Sequence, residues 1–260
     1  MMKILLCIKQ VPESECAIQI DEAAQWIKSD GLTAFKMNRW DEFAAEEAVL
    51  IKAKFPGTTI DAISVGPPRA VEVIKRALGM GADHGIHIVT AGDGYLSPFS
   101  VASWIAEYAR RKNYGLILAG AMSEDLMQGQ VGPMLAAHLA LPCATGVIYA
   151  QVDPLSETVY AEREIEGGRR DTLKLLLPAL LTIQSGINTP RYPSLSNLLR
   201  ANRQALETIQ APVPAPSAAK EQVVEVAYPE KLRAGNVLAG TSQAKARRLL
   251  SLLREKALMH

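Results

Sequence analysis

The sequence predicts a doubly wound α/β fold: a mostly parallel sheet with helices on both faces, then a β-hairpin and an extended helical C-terminal arm. Three observations carry that expectation. Short apolar runs alternate with helical stretches from the N-terminus to Leu139, the order that builds parallel βαβ units. The runs are continuously apolar rather than alternating, as strands covered on both faces must be. Beyond residue 188 the pattern stops, and proline-punctuated segments and polar helices take over.

The elements follow in order. Residues 2–8 form a buried strand bounded by Lys9-Gln10-Val11-Pro12. Residues 41–54 form a helix whose acidic start and basic end complement its dipole. Residues 59–65 are the second strand, ending at Gly66-Pro67-Pro68. An amphipathic helix over 69–78 is stopped by Gly79 and Gly81. Residues 84–89 are the third strand, 98–112 a helix, and 115–119 the fourth strand. A polar loop leads to a helix over 130–139. Two β-runs, 147–151 and 158–164, flank a turn at Pro154, and 170–176 returns across Gly167-Gly168. Residues 179–184 are the last buried strand.

These elements place residues 1–188 in the α/β domain and 189–260 in a separate arm. Within the arm, 195–209 reads as a polar helix and 211–219 (APVPAPSAA) as a stiff, extended linker. Residues 241–258 read as an amphipathic helix with Thr241-Ser242 at its N-cap. Such an arm suits a wrap around another chain, or a loosely attached tail. The stretch from Glu162 to Asn197 sharpens the choice. It joins a charged hairpin, a buried strand and a proline-rigidified exit that bears one exposed leucine. That string suits a partner-dependent carrier better than a solitary catalyst.

Composition narrows the function classes. A net charge of +1 gives no electrostatic footprint for nucleic acid or an anionic membrane. No apolar run reaches membrane-spanning length, and the N-terminal run is too short for a signal peptide. The 3 cysteines form no CxxC pair, so a reducing compartment, the cytoplasm, is expected. Neither a metal site nor a catalytic triad is expected. His84 and His87 fall on opposite faces of a strand, and no general base lies beside a nucleophile.

Loops after parallel strands bind ligands. Here they follow Cys7, Val65 and the fourth strand, where residues 120–132 (GAMSEDLMQGQVG) open a helix. Backbone amides at that helix start attract phosphate oxygens, with Gln128 and Gln130 as further donors. An ordinary strand-to-helix connection is the alternative. The P-loop and GxGxxG patterns are absent.

Five segments carry a resemblance to a known family: KILLCIKQVP (3–12), MNRWDEFAAEEAV (37–49), AISVGP (62–67), RALGMGADHGIHI (76–88), and EREIEGG with LPALLTIQSGINTPRYPSL (162–195). In that order and spacing the chain resembles the beta (small) subunit of electron transfer flavoproteins. The resemblance implies a Rossmann-like, adenine-nucleotide-binding domain and an obligate heterodimer with an alpha subunit that holds the redox FAD. It implies a structural AMP in this chain, or in electron-bifurcating relatives a second FAD. It implies electron shuttling from dehydrogenases, commonly acyl-CoA dehydrogenases, to a quinone reductase or another acceptor, with no catalytic residues of its own.

Residue by residue, the resemblance places Cys7 near the base. It puts Asn38, Arg39, Trp40 and Asp41 at the cofactors, with Trp40 near the partner's flavin. Val65 follows, then the phosphate loop with Gly120, Asp125, Gln128, Gly129, Gln130, Val131 and Gly132. Glu164, Tyr192 and Leu195 are expected to bind partners: Glu164 an arginine of the alpha subunit, Leu195 a pocket of the client dehydrogenase. The loop departs from the family's usual one: Met127 replaces a second acid, and Gln128 and Gly129 also differ. Ser14 stands where some members place a tyrosine. Residues 130–133 and 92–97 are similar to bifurcating relatives, whereas 98–103 are not. A stand-alone adenine-nucleotide sensor is the remaining alternative.

Overall fold

The structure, a computed structural model, describes residues 2–22, 26–28, 33–212, 220–229, 235, 237–256 and 258. Two compact units divide at residues 226 and 227. The first contains β1 (Lys3–Cys7), β2 (Gln10–Pro12), β3 (Phe35–Met37), α1 (Arg39–Lys54), β4 (Thr59–Gly66), α2 (Val71–Met80) and β5 (His84–Val89). It continues through α3 (Pro98–Ala109), β6 (Leu116–Gly120), α4 (Val131–Leu139), β7 (Cys143–Asp153), β8 (Thr158–Ile165) and β9 (Arg169–Leu176). It ends with β10 (Ala179–Ile183), α5 (Leu195–Arg203) and β11 (Glu207–Gln210). The second unit carries α6 (Ser242–Glu255).

The main sheet has nine strands in the order β11-β5-β4-β1-β6-β10-β7-β8-β9. Pairing is parallel from β11 to β7 and antiparallel through β7-β8-β9. The continuous apolar runs have the expected consequence: alternate residues of one strand feed two cores. Ile4, Leu6 and Ile8 pack on the α1/α2 face with Phe43, Ala44 and Leu78. Leu5 and Cys7 pack on the α3/α4 face with Ala102, Ile105 and Leu135. Burying a side chain such as Leu5 or Leu6 stabilises the fold by about 1.5–3 kcal/mol, so the two-faced central strands dominate the core.

Three features differ from the sequence reading. The helix predicted over 195–209 stops at Arg203, and residues 207–210 instead extend the sheet as β11 beside β5. The β-favouring Thr208 and Ile209 gain a ladder there that a polar helix would not supply. The short β2–β3 ribbon was not foreseen, because three-residue strands carry no readable period. β7 begins at Cys143, four residues before the predicted start, where its first residues pair with β10. The predicted linker lies outside the described residues over 213–219.

Candidate functional site

The sheet order itself creates the site. Building out from β1, the chain lays β4 and β5 on one side and β6 and β10 on the other. Loops that leave neighbouring strands at such a reversal diverge, and a crevice opens at their C-terminal ends. Its walls include Cys7 from β1, Val65 from β4 and Gly120 from β6. The empty volume, with its open mouth, is ≈ 1220 Å³.

Most sequence-predicted residues meet here. Asn38 and Asp41 join Cys7, Val65 and Gly120 in the lining, as do Asp125, Gln128 and Gly129. Gln130, Val131 and Gly132 complete the floor at the start of α4. Arg39 and Trp40 are not among the lining residues. Arg39 is exposed on the first turn of α1, and the Trp40 indole donates to Gln184 Oε1 at 2.7 Å.

Two of the predicted residues act on the protein rather than on open space. Asn38, 1 % exposed, donates from Nδ2 to the Met122 carbonyl and accepts from the Glu124 amide, both at 2.9 Å. It braces the loop between β6 and α4. The Asp41 carboxylate accepts from the backbone N–H of Lys9 at 2.7 Å and of Gly120 at 3.0 Å. It thereby ties the exits of β1 and β6 together. Burial pushes its pKa up to about 7, against the lowering effect of those hydrogen bonds and of the Lys9 charge. Burial likewise raises the Cys7 thiol, with help from Asp41, so Cys7 is a wall and not a nucleophile. Lys9 Nζ grips Asp125 at 2.7 Å and Lys36 grips Glu124 at 3.1 Å, which pins the loop from outside.

The loop ends in an anion-attracting feature. Gln130 precedes α4 without a side-chain cap, so first-turn amides lack that partner and the helix dipole is positive there. The glycines around it are required by packing. A Cβ on Gly120 would sit 2.7 Å from Trp40 Cβ, and one on Gly129 would sit 2.5 Å from the Ala121 carbonyl oxygen. A Cβ on Gly132 would strike Thr182 Cγ2.

Lys9 and Gln10 lie in the loop after the first strand that the sequence reading singled out, whereas the lining residues Trp26, Arg69 and Tyr95 were not named. Tyr95 lies in the GDGYLS stretch, which offered a signal; Trp26 and Arg69 offered none, since only the tertiary fold brings them in. Buried polar atoms of the lining test the fit of a nucleotide. Gln10 Oε1, Arg69 Nε and Gln128 Oε1 have no hydrogen-bond partner among the described residues. An unmet buried polar atom costs about 1–3 kcal/mol, so donors and acceptors supplied by a ligand are favoured. Together with the uncapped helix start, these atoms fit a nucleotide.

The exit segment is rigid for a readable reason. Asn188 Nδ2 donates to the Phe43 carbonyl at 3.1 Å and to Glu47 at 3.0 Å. Arg191 clamps Glu46 through Nε at 2.8 Å and Nη2 at 2.7 Å. Burial and the neighbouring Glu46 raise the Glu47 pKa, opposed by Asn188. So anchored, the segment leaves Tyr192 86 % and Leu195 73 % exposed. Ser194 caps α5 by accepting from the Asn197 amide, which fixes Leu195 at its first position. Glu164 is exposed on β8, opposite Arg170 of β9.

A family model described as the electron transfer flavoprotein domain matches residues 32–229, which include α1, the loop before α4 and the exit segment. The chain belongs to the electron transfer flavoprotein family, among its beta subunits. The "electron transfer flavoprotein subunit beta" of Bacillus subtilis is 32 % identical, with 98 % of this chain and 99 % of that protein aligned. That of Bos taurus is 36 % identical over 81 % of this chain and 82 % of its own. The Arabidopsis thaliana protein, named as mitochondrial, is 30 % identical over 93 % and 95 %. Beta subunits of this family are electron-transfer carriers, and the family brings with it flavin or nucleotide association and an alpha-subunit partner. Cys7, Lys9 and Gln10 lie before the family match begins, within the nearly full-length alignment to the Bacillus protein. Among the described residues, no helix is long and apolar enough to cross a membrane.

Proposed function

We propose that this chain is the beta subunit of a heterodimeric electron transfer flavoprotein, holding a structural AMP in the cleft at the β1/β6 reversal. The carrying observation is that cleft, with braced loops, an uncapped helix start and unmet buried polar atoms. The phosphate would lie against the amides of Gln130, Val131 and Gly132, and the nucleoside between the exits of β1 and β4. Asn38 and Asp41 preorganise those loops, so little ordering is left for binding.

The redox chemistry would be supplied by FAD in the alpha subunit. This chain's part is to complete that subunit's surroundings and to present docking surfaces. Residues from 189 onward, including the second unit, would embrace the alpha subunit. Glu164 would meet its arginine, and Trp40, fixed by Gln184, would lie towards its flavin. Leu195 and Tyr192 would engage client dehydrogenases, acyl-CoA dehydrogenases among them, before electrons pass to a quinone reductase in a cytoplasmic setting. A single exposed leucine gains about 1.5–3 kcal/mol on burial, which selects a partner yet lets it go quickly.

Co-expression with an alpha subunit tests the reading. A stable yellow heterodimer is expected. A chain that stays monomeric beside every alpha subunit tried would overturn it. Two flavins per heterodimer would favour the bifurcating form, whose relatives residues 130–133 and 92–97 resemble.

A further inference from the structure

The lining of the cleft carries two chemically different features. One is the start of α4. The other is aromatic, where Trp26, Phe35 and Tyr95 line the wall. The Phe35 ring is already covered: the Arg69 guanidinium lies 4.0 Å from its centroid and is paired with Asp93. Trp26 and Tyr95 meet edge to face, with centroids 5.2 Å apart and planes at 62°. An edge-to-face pair spends the edge of one ring and one face of the other. Flat π-surface therefore remains for a third group.

The pair is held before any ligand arrives. The Tyr95 hydroxyl donates to Glu221 at 3.0 Å, and the Gln128 side chain lies near the same hydroxyl. Gln128 belongs to the loop that runs into α4. The aromatic wall thus adjoins the anion-attracting helix start in the same cleft. A flat group joined to a phosphate is the ligand that uses both.

We infer that Trp26 and Tyr95 form a stacking wall for the base of the bound nucleotide, with its phosphate at the start of α4. They are specificity-determining residues for a nucleobase over a bare sugar phosphate. The inference rests on the nucleotide reading above. Stacking is tolerant of base identity, so the wall selects a base without choosing between purines.

The test is calorimetric titration of the nucleotide-stripped full-length chain with AMP and with ribose 5-phosphate. Removing a stacking partner weakens binding roughly 10- to 100-fold. Trp26→Ala and Tyr95→Ala should lower AMP affinity by that factor and leave ribose 5-phosphate within about twofold, while Trp26→Phe keeps most AMP affinity. In a background with Trp40→Phe and Trp104→Phe, AMP should also quench the remaining indole and ribose 5-phosphate should not. Unchanged AMP affinity in both alanine variants overturns the wall. So does an equal loss for both ligands, which would mean that the rings only shape the cleft. Wild-type protein that takes up neither ligand would overturn the nucleotide reading itself, a distinct result.

Discussion

Asp41→Asn separates the electrostatics of the cleft from its shape. The Asp41 carboxylate is buried, and its pKa rises from 3.8 to about 7. The folded state therefore holds the Asp41 proton more tightly than the unfolded chain does. The stabilisation from that proton is complete below about pH 4 and is lost as pH climbs to about 7. One pKa unit corresponds to 1.36 kcal/mol, so the loss across that window is about 4 kcal/mol. Asparagine cannot ionise. It also faces an N–H donor with its own amide, so a constant penalty of about 1–3 kcal/mol is expected at every pH. Urea unfolding of both proteins at pH 4.5, 5.5, 6.5, 7.5, 8.5 and 9 reads the difference. The wild type should lose stability relative to Asp41→Asn as pH rises, and the two should run parallel above pH 8. Glu47, whose pKa is also raised, contributes equally to both and cancels. Parallel curves across the whole range would refute the reasoning and show that Asp41 stays ionised in the fold.

Three further outcomes follow from the same geometry. Leu195→Ala should leave thermal stability within about 0.5 kcal/mol, because the side chain is 73 % exposed; it should raise KM for client dehydrogenases about 5- to 30-fold in a dye-coupled electron-transfer assay. Arg191→Ala leaves the Glu46 carboxylate, 5 % exposed, without its guanidinium; a loss of about 1–3 kcal/mol in urea unfolding is expected, with weaker client docking because the exit segment is untethered. Gly132→Ala drives a methyl onto Thr182 Cγ2 and should cost about 1–3 kcal/mol. Adding Thr182→Ser removes that methyl, keeps the hydroxyl that accepts from the Gly146 amide at 3.0 Å, and should restore stability.

The central sheet was legible because its signal is local. The apolar run read over 115–119 forms β6, Leu116–Gly120, since a continuous apolar strand announces itself in a few residues. The loop over 120–132 was legible as a polar, glycine-bearing stretch between a strand and a helix, and its residues line the cleft. The aromatic side of the cleft was not. Trp26 and Tyr95 are far apart in sequence, and only tertiary packing sets their rings 5.2 Å apart. The bracing roles of Asn38 and Asp41 were hidden likewise, because their partners at Met122, Glu124 and Gly120 lie on another element. Nothing in the helical run 41–54 marked Glu46 and Glu47 as buried, yet they anchor the exit segment. β11 was missed because a helical period in 195–203 was carried past its end at Gln204.

The contents of the β1/β6 cleft in the assembled protein decide the central claim. The direct measurement is to purify the complex with an alpha subunit, denature it, and weigh the released small molecules against protein by mass spectrometry. One AMP and one FAD per heterodimer is the predicted result. FAD alone, with no adenine nucleotide beyond it, would contradict the account.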